Sequence, residues 1–157
     1  MVNFRIISVG KSKESWIRSG FEHYSKLISR YARLEENTIK AEKVLDESRK
    51  DIFLQKEGER ILNRLGNAAP VVVLDQAGKL MSSEKLSQYL NKHFKSGNNS
   101  IDFVIGSALG LAEEVKARAD LLLAFSKMTF PHELARLMLA EQLYRAMSIL
   151  HGGKYHK

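Results

Sequence analysis

A chain of 157 residues is long enough for one domain with a real core and too short for two ordinary ones. Its 44% hydrophobic and 27% charged residues are those of a water-soluble globular protein, and with no cysteine it has no disulfide, thiolate zinc site or catalytic thiol. Lysine and arginine total 25 against 18 acidic residues, a net charge of +7 and a pI near 9.6, which favours a polyanionic partner such as nucleic acid. A merely soluble basic protein fits the same numbers, because no arginine-rich arm or lysine tail concentrates the charge.

Residues 3–9, NFRIISV, read as a buried strand stopped by Gly10. This apolar run is far too short for a signal peptide or a membrane span, and a cytoplasmic protein is the natural expectation. Between Ser15 and about Arg30, Trp16, Ile17, Phe21, Tyr24, Leu27 and Ile28 recur at helical spacing. Residues 33–44 carry a weaker signal, an edge strand or a charged loop. Asp51 is a candidate cap for a helix carrying Ile52, Phe53, Ile61, Leu62 and Leu65, with Gly66 at its end. VVVLD after Pro70 is the clearest buried strand. Ser82 or Ser83 opens a helix reaching about Phe94. The loop SGNNS, the strand IDFVIG, the short helix LAEEVKARA and the strand DLLLAF follow, and residues 131–150 form the last helix.

Short continuous apolar strands separated by helices predict one α/β domain, a mostly parallel sheet with helices on both faces. Ligands of such sheets bind beyond the carboxyl ends of the strands. Three strand ends carry unusual residues: LDQAGK (74–79), IGSALGL (105–111) and FSKMTFPHELARLMLAEQLYRA (125–146). The spacing of Gly106 and Gly110 is not that of a dinucleotide fingerprint, and no P-loop pattern occurs. No metal-ligand cluster stands at a recognisable spacing, so no metal is expected.

On the last helix, Leu137, Leu139, Ala140, Leu143, Tyr144, Ala146, Met147 and Leu150 cover an arc of about 200° at about 100° per residue, whereas one buried face needs little more than about 100°. The excess predicts a second packed surface, most simply a partner subunit. Arg136 falls inside that arc, where a snorkelling side chain is the plain reading. Glu141 and Arg145 lie on the mixed face with Ser148, as an i,i+4 pair.

LDQAGK, FVIGSALGL, SKMTFPHE, EQLYRA and the terminal KYHK, in that order, with ISVGK and QKEGERIL before them, resemble the ribosomal RNA large subunit methyltransferase H family over essentially the whole chain. That resemblance implies a SPOUT-type α/β fold with a C-terminal trefoil knot, a homodimer, and S-adenosylmethionine as methyl donor. It implies methylation at N3 of pseudouridine 1915 in helix 69 of 23S ribosomal RNA, on the assembled ribosome. It assigns Leu74, Gly106, Phe125, Ser126, Lys127, Met128, Thr129 and Phe130 to the donor. Pro131 is then expected in the first helical turn, with Thr129 or Phe130 at the N-cap.

The ring nitrogen to be methylated carries a proton, so a base or a stabiliser of the anionic ring is expected. His156, Arg145, Glu141 and Tyr155 are the candidates beside the base, with His156 and Arg145 foremost. His132, Arg136, Lys154 and Lys157 are the expected RNA contacts. Relatives usually have two glycines where this chain has Gly106-Ser107. A serine held at positive φ would be strained by roughly 1 kcal/mol, so position 107 is expected to tolerate a side chain while Gly106 packs closely. The competing readings are a ribosome-binding or assembly protein that keeps the fold without the chemistry, and a flavodoxin-like nucleotide binder, which leaves the terminal motif unexplained.

Overall fold

Each short apolar run forms a strand in the computed structural model, which describes residues 1–43 and 46–157. The strands are β1 (Val2–Val9), β2 (Ala32–Ile39), β3 (Val71–Leu80), β4 (Ser100–Ile105) and β5 (Leu121–Ala124). They pair in parallel in the order β2-β1-β4-β3-β5. The helices are α1 (Ser15–Ile28), α2 (Lys50–Arg64), α3 (Ser83–Lys95), α4 (Glu113–Arg118) and α5 (His132–Leu150), and a single 3-10 turn, Glu47–Arg49, leads into α2.

Successive side chains of a strand point to opposite faces, so a sheet covered on both sides needs apolar residues at every position. In β1, Phe4 and Ile6 enter one core with Ile101, Phe103 and Ile105 of β4, against α3 and α5. Ile7 and Val9 enter the other with Val71, Val73 and Val104, where Ile61 of α2 and Val115 of α4 close it. The weak segment 33–44 contains all of β2 but its first residue, Ala32, and β2 runs in unbroken register with β1 from Val2↔Ala32 to Val9↔Ile39. At a sheet edge its charged residues reach water. Residue 44 of that segment lies outside the described residues.

Several boundaries differ from the sequence expectation. α1 ends at Ile28, two residues early. Asp51 does not cap α2 but lies in its first turn, while Asp46 caps the preceding 3-10 turn by accepting from the Ser48 amide at 3.0 Å. Neither Thr129 nor Phe130 is the N-cap of α5. Pro131 holds that position, with extended ψ of 141°, and its carbonyl accepts from the Ala135 amide at 2.9 Å.

Much of the wide apolar arc of α5 is covered by the chain itself. α1 runs alongside α5: a Cβ on Gly20 would lie 2.8 Å from Leu137, Tyr24 meets Tyr144, and Tyr31 stacks on His151. From α3, the Ser87 hydroxyl donates to the Ala146 carbonyl at 3.0 Å. No residue of α5 is fully exposed, and Leu143 is completely buried. Packing between two helices and the sheet accounts for much of the arc within one chain, while Leu137 and Leu150 remain half-buried.

Candidate active site

Three chain segments meet beyond the carboxyl ends of β3, β4 and β5. β3 runs past Asp75, where its apolar run ends. Leu74 pairs with Leu123, then the register jumps so that Lys79 faces Leu123 and Leu80 faces Ala124. Residues 75–78 bulge out between those pairings. The Asp75 carboxylate accepts from the Ala77 amide at 3.0 Å and pairs with Lys116 at 3.3 Å. Gly78 lies so close to β5 that a Cβ there would sit 2.7 Å from the Leu122 backbone, a close backbone approach that only glycine allows.

The second wall is residues 105–111. Gly110 adopts φ +93°, and its amide closes a turn onto the Ser107 carbonyl at 2.9 Å. A Cβ on Gly106 would lie 2.6 Å from the Gly110 carbonyl oxygen. Ser107 is unstrained, since no non-glycine residue among those described has positive φ. Its hydroxyl donates to Glu57 of α2 at 2.8 Å and accepts from the Leu109 amide at 3.2 Å. Gly106 therefore packs closely and position 107 accepts a side chain, as the sequence suggested.

The third wall is the segment from β5 to α5. The Ser126 hydroxyl accepts from the Met128 amide at 3.0 Å. Gln76 clamps this wall to the first: its amide donates to the Lys127 carbonyl and its oxygen accepts from the Thr129 hydroxyl, both at 2.9 Å. The three walls enclose a cleft of about 730 Å³, inside the range of about 300–1,000 Å³ usual for small-molecule sites.

Leu74, Gly106, Phe125, Ser126, Met128, Thr129 and Phe130 all line this cleft, and so does His132. Lys127 does not: its carbonyl serves the Gln76 clamp and its side chain is exposed. Asp75, Gln76 and Lys116 also line the cleft and were not singled out as site residues from sequence. Gln76 lies in the LDQAGK stretch already marked, and a polar residue ending an apolar strand was the available signal.

The second cluster stands at the far end of α5. Gly152, at φ +68°, turns the chain, and the Gly153 amide returns to the Ser148 carbonyl at 2.8 Å. The tail then lies back along the helix. The Tyr155 hydroxyl donates to Glu141 at 3.1 Å, and the Arg145 guanidinium sits 4.7 Å from the Tyr155 ring centre. Arg145 Nε donates to Glu141 at 2.9 Å, with a second, close contact from Nη2. His156 Nδ1 stands 3.2 Å from Arg145 Nη1, and its Nε2 stands 2.7 Å from Glu84 of α3. The Glu141 hydrogen bond pushes Arg145 above its ordinary pKa. Desolvation, then hydrogen bonding with Tyr24 and the Glu141 charge, push Tyr155 well above the usual phenol range.

The sequence candidates thus form two groups. Glu141, Arg145, Tyr155 and His156 assemble together, with exposed Lys154 and Lys157 beside them. Seven of the eight residues expected at the donor, and His132, assemble at the cleft. From His132 to Arg145 the helix rises about 20 Å, so one chain does not bring the two groups together. Arg136 belongs to neither. It is 4% exposed, donates to Ser8 at 3.3 Å and to Glu36 at 3.0 Å, and lies over the Phe21 ring. The expected RNA contact is, in this fold, a buried strut between α5, β1 and β2.

Among the described residues, no group of three or more His, Asp or Glu could hold a metal ion, and no helix is long and apolar enough to cross a membrane.

A five-stranded parallel sheet with a glycine-walled cleft at its strand ends is an α/β ligand-binding architecture, and the family match assigns it to the SPOUT methyltransferases. Residues 2–156 match the family described as predicted SPOUT methyltransferase. A tRNA (m1G37) methyltransferase from Aquifex aeolicus has the same fold, with a TM-score of 0.52 at 16% identity over 92% of this chain and 69% of that one. A probable methylase family protein from Haemophilus influenzae is similar, at 0.52 and 12% over 96% and 67%. The chain is 45% identical to ribosomal RNA large subunit methyltransferase H of Clostridium kluyveri, and 46% identical to that of Clostridium botulinum, each over 99% of this chain and all of the relative. The chain belongs to the ribosomal RNA large subunit methyltransferase H family.

Proposed function

We propose that the protein transfers a methyl group from S-adenosylmethionine to N3 of pseudouridine 1915 in helix 69 of 23S ribosomal RNA, acting as a homodimer on the assembled ribosome. The observation that carries the reading is the cleft itself: seven of the eight residues assigned to the donor from sequence line one cavity. The lining suits a nucleoside. Leu74, Phe125 and Phe130 offer apolar surface for a flat purine, and the backbone of residues 106–111 and 126–129 offers polar edges. When bound, the donor supplies an electrophilic methyl group to the ring nitrogen and departs as the thioether.

The chain's own residues supply alignment, charge and proton handling. His156 is the group for the N3 proton, and Arg145 stabilises negative charge developing on the ring. Tyr155 offers a flat face for a base, while Lys154, Lys157 and His132 meet phosphate or sugar. Arg136 has no part in this, being buried and paired within the fold.

The same geometry supports the homodimer reading. The donor cleft and the tail cluster lie about 20 Å apart along α5, so a complete site needs the tail of one subunit at the cleft of the other. Large apolar side chains stand uncovered toward the cleft end of the chain. Trp16 is 58% exposed at the start of α1, where the Lys13 amide binds Glu133, and Met128 is 74% exposed on the cleft rim. A partner surface would cover them. The reading includes the trefoil knot of the family, and the tight passage of residues 75–80 against β5 at Gly78 is consistent with it.

Two measurements test this. Calorimetric titration with S-adenosylmethionine is expected to give one site per chain. Mass spectrometry of helix 69 from cells with and without the gene is expected to differ by one methyl group on the pseudouridine. Persistence of that methyl in the deletion strain would end the reading.

A further inference from the structure

The tail cluster contains a carboxylate with no assigned role. Glu84 lies in the first turn of α3, and its Oε1 is 2.7 Å from His156 Nε2. A helix-stabilising acid would be the ordinary explanation. Yet α3 already has its cap, since the Ser82 hydroxyl accepts from the Lys85 amide at 3.1 Å. The hydrogen bond from His156 is also the foremost cause holding the Glu84 carboxyl below its ordinary pKa.

The bonds to the ring fix its proton. Arg145 Nη1 stands 3.2 Å from His156 Nδ1. A guanidinium has donors only, so Nδ1 must be the acceptor and carries a lone pair. The remaining ring proton is on Nε2, pointing at Glu84. Carboxylate, imidazole and guanidinium form one line from α3 through the tail to α5. A carboxylate that holds one ring nitrogen as N–H leaves the other as the base, the arrangement that orients a catalytic imidazole.

We propose that Glu84 is a positioning residue for methyl transfer, holding His156 as the Nε2–H tautomer so that Nδ1 faces the nucleobase as the proton acceptor. This rests on the methyltransferase reading above. The step balances simply. The nucleobase N3–H bond breaks, its proton passes to Nδ1, and the nitrogen lone pair so exposed takes the methyl. The imidazolium keeps its Nε2–H on Glu84 and returns the Nδ1 proton to water. Arg145 must leave Nδ1 for this to happen. The two carbonyl oxygens flanking N3 offer its guanidinium a replacement acceptor, where it meets the developing negative charge.

The test uses the full-length protein with Glu84→Ala and Glu84→Gln. Glutamine keeps an acceptor oxygen and alanine does not. Long-range proton–nitrogen NMR of the His156 ring is expected to show the Nε2–H tautomer in the parent and in Glu84→Gln, and a tautomer mixture in Glu84→Ala. With ribosomal substrate, kcat is expected to fall roughly tenfold or more in Glu84→Ala, with KM for donor and ribosome little changed and most activity kept in Glu84→Gln. Unchanged His156 tautomer or unchanged kcat in a folded Glu84→Ala protein overturns the proposal. An inactive parent would instead sink the methyltransferase reading, and the tautomer measurement would still judge Glu84.

Discussion

Ser107 donates its hydroxyl hydrogen to Glu57 at 2.8 Å and thereby ties the glycine-rich wall of the cleft to α2. Glu57 is 2% exposed, and its other oxygen accepts from the Glu42 amide at 2.9 Å. One buried carboxylate on α2 thus holds both the segment after β2 and the donor wall. Removing it strands an amide and a hydroxyl at once. Glu57→Ala is expected to cost about 2 kcal/mol of stability, visible in thermal unfolding, and to weaken S-adenosylmethionine binding by calorimetry. Ser107→Ala should weaken donor binding with a smaller loss of stability. Equal donor affinity in both variants would show that the wall holds its shape without this tie.

Arg136 yields a prediction opposite in kind to the RNA contact expected from sequence. Its side chain is 5% exposed, while its partner Glu36 is about one third exposed, so the pair is only partly desolvated. Arg136→Ala is expected to lose about 2 kcal/mol, the scale of a hydrogen bond to a charged group. The salt dependence of RNA binding should not change, because an exposed phosphate contact lowers that slope by about one when removed and a buried strut does not. A reduced slope with unchanged stability would restore the RNA assignment.

These two residues mark where sequence was legible. The strands were readable because both sheet faces are covered, which puts apolar residues on both faces of β1, of β4 and of the first part of β3. The cleft-lining residues were readable because they sit at strand ends. The last part of β3 was not, because QAGKL is polar and small, and its pairing depends on Gly78 pressing on the Leu122 backbone. The arc on α5 was legible but not its cover: a wheel reports how much of a helix is apolar, not whether α1, α3 or another chain covers it. Leu143, the natural choice for an interface mutation, is buried in the core of its own chain, so a glutamate there would unfold the protein rather than separate subunits. Gly106→Val likewise meets the Gly110 backbone before any ligand.

The tyrosines carry a pH signature. Burial, with the nearby Asp120 charge, pushes Tyr89 up to about 12, and desolvation with the Tyr24 and Glu141 contacts pushes Tyr155 higher still. A group whose folded pKa is raised adds stability that is full below its unfolded value, near 10, and is lost as pH rises through the folded one. Absorbance titration of the phenolates is therefore expected to show at least two of the five tyrosines ionising late, together with alkaline unfolding. Tyr155→Phe should remove one late phenol and leave the rest of the curve in place. A late phase of unchanged amplitude would mean that the tail does not lie on Glu141 in solution.

The last prediction concerns which cleft the tail serves. Within one chain the tail is held to the C-terminal half of α5 by Tyr155 on Glu141, and to α3 by His156 on Glu84. The donor cleft lies at the other end of that helix. Reaching its own cleft would require the tail to break these contacts and span about 20 Å from Arg145 to His132. The four residues 154–157 extend to at most about 14 Å, so a swing of the tail alone does not bridge the gap. A second subunit packed with its cleft against the first subunit's tail removes the problem without moving either. Deleting residues 154–157 is expected to leave folding and donor binding intact and to abolish methylation. A second variant, Ser126→Tyr, fills the cleft while leaving the tail whole. Each variant alone should be inactive, and heterodimers of the two, verified by mass, should recover activity. In such a heterodimer the truncated chain keeps an intact cleft and the partner supplies the tail. Inactive verified heterodimers would mean that each tail closes the cleft of its own chain, at the cost of refolding the end of α5.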